Sequence, residues 1–137
     1  MDRKELALQL HHSNFNCAQC VACSYCNVYG FDPVTVFKLS EAFGGGMGDF
    51  DICGAVSGMA MVIGMMNSDG NLDDPQTKHQ TYNLITDAKK RFKDKNKSCT
   101  CSELRGLETG VVLRPCDDCI TDAIEILDDM LLGIKAE

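Results

Sequence analysis

The segment from Ile52 to Met66 constrains the fold most, because nearly every residue in it is apolar or small. A helix that is apolar on all sides must be covered by other elements, so this segment is predicted to be a buried central helix. Gly54 and Gly58 lie four residues apart and would allow another backbone to approach one face of that helix closely. The segment is too short to span a bilayer, so no membrane insertion is expected.

Patterns typical of helices occur along the rest of the chain. They predict helices over residues 3–12, over about 15–29, from Asp32-Pro33, from Asp74-Pro75 and from Arg114-Pro115, with a helical turn between Cys99 and Gly106. The last helix carries a stripe made of Cys116, Ile120, Ala123, Leu127, Leu131 and Ile134. Because no stretch alternates like a strand, we predict an all-α fold: a compact single-domain bundle of five or six helices over residues 1–137.

The net charge and the first residues of the chain limit the classes of function that we expect for this protein. The formal net charge is −7, which argues against nucleic acid as a partner. The basic run over residues 89–97 is interpreted as a solvated helix end. The chain starts Met-Asp-Arg-Lys-Glu without an apolar stretch behind it, so we expect no secretory signal and a cytoplasmic location. Cysteines in a reducing cytosol bind metals or act in catalysis more often than they form permanent disulfides.

Nine cysteines fall in four places along the chain, and four of them follow at three-residue steps. On a helix each such step turns the side chain by about 60° and climbs about 4.5 Å, so Cys17 and Cys26 would face opposite sides. The run therefore cannot hold one cluster, and only neighbouring members can meet. We expect Cys20, Cys23 and Cys26 to be small buried hydrophobic residues, with Cys23 directed away from any centre at Cys17.

Two of the other cysteines stand where helices are predicted to start. Backbone amides at a helix start favour a thiolate, which applies to Cys53 and Cys116. Two aspartates follow Cys116 directly, so Cys53 is expected to be the more thiolate-like. Cys116 and Cys119 form a C-x-x-C pair without the strand that precedes a thioredoxin site. His11 and His12, at a helix end, are expected to lie near helix carbonyls rather than to bind a metal.

Five short motifs together resemble the C_GCAxxG_C_C family of redox-active proteins, over about residues 17–127. They are Asn16-Cys17-Ala18-Gln19, Phe43-Gly44-Gly45-Gly46-Met47, Cys53-Gly54-Ala55-Val56-Ser57-Gly58, Cys101-Ser102-Glu103-Leu104-Arg105-Gly106, and Cys116 before Asp122-Ala123. The resemblance implies a small helical protein with four characteristic cysteines: Cys17, Cys53, Cys101 and Cys116. A related domain occurs in split-Soret-type cytochromes, where iron–sulfur and haem cofactors are implicated. Covalent haem is not expected, because the chain has no Cys-x-x-Cys-His.

Three functions stay open from the sequence. The first is a redox protein that holds an iron–sulfur cluster on the four family cysteines and serves an unidentified electron-transfer partner. The second is a structural zinc protein, and the third is a cofactor-free thiol–disulfide oxidoreductase. Cys20, Cys99 and Cys119 are secondary candidates that could replace a ligand or form a second centre, and Gly54 and Gly58 would leave room beside the site. A homodimer also stays open.

Overall fold

The regular elements of the protein are helices, with one isolated antiparallel bridge between Ile52 and Thr100. The computed structural model describes residues 2–132, and no β-strand occurs within them. In chain order the α-helices are α1 Arg3–His12, α2 Cys17–Cys23, α3 Cys26–Tyr29, α4 Pro33–Ser40, α5 Gly54–Asn67, α6 Lys78–Asn96, α7 Cys101–Arg105 and α8 Cys116–Leu131. The prediction of an all-α fold is confirmed.

Side-chain caps fix several of the helix starts. The Asn16 side chain accepts a hydrogen bond from the Gln19 amide, and the Gln19 side chain accepts one from the Asn16 amide, which makes a capping box at α2. Asp32 caps α4 through the Thr35 amide, with Pro33 as the first helical residue. These caps account for helix starts that the sequence signals at the same places.

Within residues 2–132 the eight α-helices outnumber the predicted five or six, because the predicted helix over 15–29 is broken in two and the predicted helical turn contains the short helix α7. The Ser24 hydroxyl donates to the Cys20 carbonyl at 2.6 Å, and the backbone leaves the α-helical path at Tyr25. The long helix also starts later than Asp74-Pro75. There the Asn71 side chain accepts from the Asp73 and Asp74 amides, so these residues form a turn and α6 begins at Lys78.

Helix α5 is the buried centre of the fold, as predicted. Its residues Ala55, Val56, Met59, Val62 and Ile63 are at most 2% exposed, and the helix packs against α2, α6 and α8. None of the helices within residues 2–132 combines the length and apolarity needed to cross a bilayer.

Two features of the α5 environment position the site. At Gly58 an added Cβ would lie 2.7 Å from the Val21 Cβ, so α2 and α5 approach closely, as the glycine spacing predicted. Helix α8 buries Ile120, Ala123 and Leu127 of its predicted stripe, while Ile134 lies outside the described residues. The N-terminal ends of α2, α5 and α8 are thereby held on the same side of the molecule.

Candidate functional site

A cavity of about 210 Å³ lies where the N-terminal ends of four helices meet. Its lining includes five cysteines: Cys17, Cys53, Cys101, Cys116 and Cys119. Cys17, Cys101 and Cys116 are the first residues of α2, α7 and α8, and Cys53 is the N-cap of α5. The structure thus brings all four family cysteines, together with Cys119, to one cavity. We call it the cysteine cavity.

Glycines allow the backbone to approach the cysteines closely. At Gly46, which has a φ of +61°, an added Cβ would lie 2.8 Å from the Cys101 Cβ. At Gly54 an added Cβ would lie 3.1 Å from the Cys17 Cβ. Gly54 lines the cavity, as the sequence suggested. Gly58 lies one turn further along α5, where the absence of a side chain leaves room for Val21. Side chains at Gly46 or Gly54 would occupy space beside the sulfurs.

Backbone hydrogen bonds fix the segment that carries Cys99 and Cys101. The Cys53 amide donates to the Cys99 carbonyl at 2.8 Å, and the Cys101 amide donates to the Asp51 carbonyl at 2.6 Å. The Cys101 side chain lines the cysteine cavity, whereas Cys99 lines a second cavity and its sulfur lies 3.7 Å from the Lys89 carbonyl. These two cysteines, two residues apart in sequence, therefore line different cavities.

The Cys17 and Cys116 thiols form the first pair in the cavity. The pKa of Cys116 is lowered to about 6, chiefly by a hydrogen bond from Cys17 and to a smaller extent by Arg105 and His11, although burial opposes the effect. The same hydrogen bond, together with burial, raises the pKa of Cys17. At neutral pH this pair therefore carries one proton, on Cys17, and Cys116 is a half-buried thiolate.

Cys53 and Cys119 form the second pair. A hydrogen bond from Cys119 lowers the pKa of Cys53, although burial opposes the effect, and the backbone amides of Ala55 and Val56 add to the lowering. That hydrogen bond and burial raise the pKa of Cys119, whose sulfur also lies 3.7 Å from the Arg114 carbonyl, a second acceptor for the same proton. Both residues are buried, with 6% of Cys53 and 2% of Cys119 exposed.

The order of acidity expected from the sequence is reversed, because Cys116 shows the larger lowering of pKa. Asp117 was expected to oppose a thiolate at Cys116. Instead its carboxylate pairs with His11, and the hydrogen bond from His11 holds the pKa of Asp117 below its usual range. The nearest carboxylate is thus engaged by a hydrogen bond with His11.

Three basic residues that sequence reasoning did not assign line the cysteine cavity: His11, Arg105 and Arg114. None of the described residues in the lining is an aspartate or a glutamate. Arg105 also lies over the Phe50 ring, and Arg114 pairs with the buried Asp122 at 2.9 Å. The charged part of the lining is therefore cationic, which favours anionic contents such as thiolates.

The other cysteines lie away from the cavity. Cys20 is buried, its sulfur lies 3.6 Å from the Phe15 carbonyl, and burial raises its pKa to about 12. Cys23 and Cys26 are hydrogen-bonded to each other and belong to a small apolar cluster that also contains Ala22, Val36, Met61 and Met65. Of the secondary candidates, only Cys119 is part of the cysteine cavity.

The thiols of the cavity are arranged two by two rather than around one point. Within residues 2–132, no group of three or more His, Cys, Asp or Glu side chains is arranged to hold a single metal ion. The two close contacts between thiols in the cavity are Cys17 with Cys116 and Cys53 with Cys119. The arrangement suits chemistry that uses pairs of sulfurs, which are disulfide exchange and ligation of a centre with more than one metal atom.

These features define an all-helical, cysteine-rich protein with five of its nine thiols at one cavity. The family model described as "Putative redox-active protein (C_GCAxxG_C_C)" matches residues 15–130, and the chain belongs to this family. The match includes all five cysteines of the cavity. No curated protein and no solved structure shows a significant match to the chain.

Proposed function

We propose that this protein transfers electrons by means of an iron–sulfur cluster bound in the cysteine cavity. The observation that carries the proposal is the presence of two thiol pairs, Cys17 with Cys116 and Cys53 with Cys119, in the lining of one cavity. A two-iron, two-sulfide cluster takes four cysteine ligands, two on each iron, so its ligands also come in pairs. When bound, such a cluster would accept and release single electrons.

The donor set fits a cluster better than a structural zinc ion. Zinc requires its sulfurs at about 2.3 Å from one point, and no three donors among residues 2–132 are arranged in that way. Thiolates without carboxylates are the soft ligands that iron–sulfur centres use. The guanidinium groups of Arg105 and Arg114 in the lining offset part of the charge of four thiolates.

The protein prepares two of the ligands before any metal binds. The pKa values of Cys116 and Cys53 are lowered and those of Cys17 and Cys119 are raised, so on loading the first two thiols give up their protons more readily than the other two. Burial of Cys53 and Cys119 keeps water away from one side, while half-buried Cys116 lies nearer to solvent.

The pairing of the thiols and the family pattern indicate different residues as the fourth ligand of the cluster. Cys17, Cys53 and Cys116 belong to both sets. The contact with Cys53 favours Cys119 as the fourth ligand, whereas the family pattern favours Cys101, whose sulfur interacts with Arg105 rather than with a thiol. We therefore expect Cys119→Ser to lose the cluster and Cys101→Ser to keep it.

Anaerobic reconstitution with iron and sulfide tests the proposal. We expect a brown protein with about two irons and two sulfides per chain. The serine variants of Cys101 and Cys119, reconstituted side by side, identify the fourth ligand. A colourless protein with one zinc per chain, or a protein that stays metal-free and colourless, would contradict the proposal.

A cofactor-free thiol–disulfide oxidoreductase is the second candidate, favoured by the lowered pKa of half-buried Cys116. The Cys116 thiolate would attack a substrate disulfide and release one substrate thiolate. Cys17 would then attack the mixed disulfide, lose its proton and release the second thiolate, leaving a Cys17–Cys116 disulfide and a reduced substrate. A metal-free protein that reduces a model disulfide, and loses this activity in Cys116→Ser, would favour this candidate over the cluster.

A further inference from the structure

We propose that a lysine surface beside the cysteine cavity docks an acidic electron-carrier protein. The lysine surface consists of Lys89, Lys90, Lys93 and Lys97, at the C-terminal end of α6. This inference rests on the proposed redox function, because it identifies where the electrons enter or leave. Its three supports are the geometry of the surface, its charge and its position relative to the cysteines.

The lysines line a cavity of about 570 Å³. Ser98, Cys99 and Thr100 form part of the same lining. Lys89 and Lys93 lie one turn apart on α6, about 6 Å along the helix axis, and Lys97 is the C-cap residue that follows the helix. The sequence alone suggested a solvated helix end, whereas the structure gives these residues a concave surface in common.

The charge of this surface is free to act on a partner. Among residues 2–132, no ion pair involves Lys89, Lys93 or Lys97, and Lys90 pairs with Asp94 at 2.9 Å. The one carboxylate in the lining, that of Glu103, accepts a hydrogen bond from the Ser98 hydroxyl at 2.8 Å. Because the whole chain carries −7, a local cluster of cations would orient an approaching acidic protein toward this surface.

The segment 98–101 separates the lysine surface from the cysteine cavity. Cys99 lines the lysine side, and Cys101 lines the cysteine side. The Cys99 carbonyl accepts the amide hydrogen of Cys53 at 2.8 Å, so a backbone hydrogen bond joins this segment directly to a cysteine of the cavity. A carrier docked on the lysines would therefore be separated from the cysteine cavity by only this segment.

Lysine chemistry favours a transient protein partner over a tightly held small anion. Lysine ammonium groups are hydrated point charges on flexible stems, and they lack the planar fork with which arginine grips phosphate. Such charges raise association rates more than affinity. Electron-transfer complexes have small interfaces and dissociate quickly, which matches a surface of this kind.

The test compares two charge-reversal variants that change the net charge equally. Lys93→Glu/Lys97→Glu alters the lysine surface, and Lys38→Glu/Lys78→Glu alters exposed lysines elsewhere. The probe is an acidic plant-type ferredoxin, cross-linked to each protein with a carbodiimide that joins amines to carboxylates. Peptide mapping should place the wild-type cross-links on Lys89, Lys93 and Lys97. Lys89 keeps its amine in both variants, so its cross-link should be lost in the surface variant and kept in the control variant.

The rate of electron transfer between the reconstituted protein and the same ferredoxin gives the second readout. At low salt we expect roughly a tenfold loss in the surface variant and less than about twofold in the control. Cross-links spread equally over Lys38 and Lys78, or equal losses of rate in both variants, would overturn the inference. Cross-linking does not require a cluster, so cross-links on the lysine surface of a protein that fails to bind iron would support the docking surface while contradicting the proposed function.

Discussion

The Cys17–Cys116 pair and the Cys23–Cys26 pair are both hydrogen-bonded thiols, but their surroundings and their pKa values differ. Cys17 and Cys116 meet in a cavity lined by His11 and Arg105, and the pKa of Cys116 is lowered to about 6. Cys23 and Cys26 meet in an apolar cluster, where burial raises the pKa of Cys23 to about 11. Proximity of two thiols is therefore not sufficient for a reactive site, and the charges around the pair decide its chemistry.

The largest expected effect of this difference is on alkylation of the metal-free, reduced protein. Because the thiolate is the reactive form, the rate for Cys116 should rise through about pH 6 and reach a plateau, while the rate for Cys23 should rise only near pH 11. At pH 7 we expect Cys116 to react roughly a hundredfold faster, after allowance for the lower nucleophilicity of an acidic thiol. Iodoacetamide labelling followed by peptide mass spectrometry measures both sites in one sample.

Both cysteines are half-buried in the folded protein, so access is comparable, and labelling of partly unfolded protein supplies the control. Similar pH midpoints for the two sites in the folded state would show that the charges around the Cys17–Cys116 pair do not control its reactivity.

The two ends of α5 offer a second comparison, since one end supports the cysteine cavity and the other does not. An added Cβ at Gly58 would lie 2.7 Å from the Val21 Cβ, whereas one at Gly64 would meet nothing within 4 Å. Gly58→Ala should lower the free energy of unfolding by about 1–3 kcal/mol, because the helices must separate. Gly64→Ala should raise it by about 0.5–1 kcal/mol through helix propensity.

Denaturant unfolding of both variants beside the wild type gives the two values. Equal effects of the two substitutions would mean that α2 does not approach α5 at Gly58 as described.

The smallest expected effects separate the causes of the acidity of Cys116. Removal of the hydrogen-bond donor in Cys17→Ala should shift its alkylation midpoint upward most, because that bond is the largest cause of the lowered pKa. Arg105→Gln should shift the midpoint in the same direction by less, and should slow alkylation at pH 6 by about twofold to fivefold. Arg105→Lys, which keeps the charge, should restore most of the wild-type rate. A larger shift in Arg105→Gln than in Cys17→Ala would reverse the assigned causes.

Local sequence patterns predicted much of the fold. The apolar segment predicted α5, and caps such as Asp32 with Pro33 predicted helix starts, because these signals depend on neighbouring residues. The break at Ser24 was missed, since it depends on a hydroxyl that bonds its own helix instead of solvent. The late start of α6 was missed for a related reason, the use of Asn71 as a turn former.

The site could be predicted only in part. Helix starts and family motifs pointed to four cysteines of the cavity. Cys119, which lies one turn after Cys116 on the same helix, was a secondary candidate beside Cys20 and Cys99. The role of His11 could not be predicted from the sequence, because its partner Asp117 is 106 residues away and no local pattern connects them. The hydrogen bond from Cys17, the largest cause of the lowered pKa of Cys116, is likewise a contact between residues far apart in sequence, so the order of acidity of Cys53 and Cys116 could not be predicted.

We propose that the iron–sulfur cluster binds in the cysteine cavity and that a pair of neighbouring thiols outside it, such as Cys23 with Cys26, does not contribute to binding. The most direct measurement is the iron and sulfide content, with the visible spectrum, of two double variants reconstituted anaerobically. Cys17→Ser/Cys116→Ser should be colourless and free of iron, whereas Cys23→Ser/Cys26→Ser should be brown and match the wild type. Retention of iron and sulfide by the first variant, or their loss from the second with its fold intact, would contradict the account.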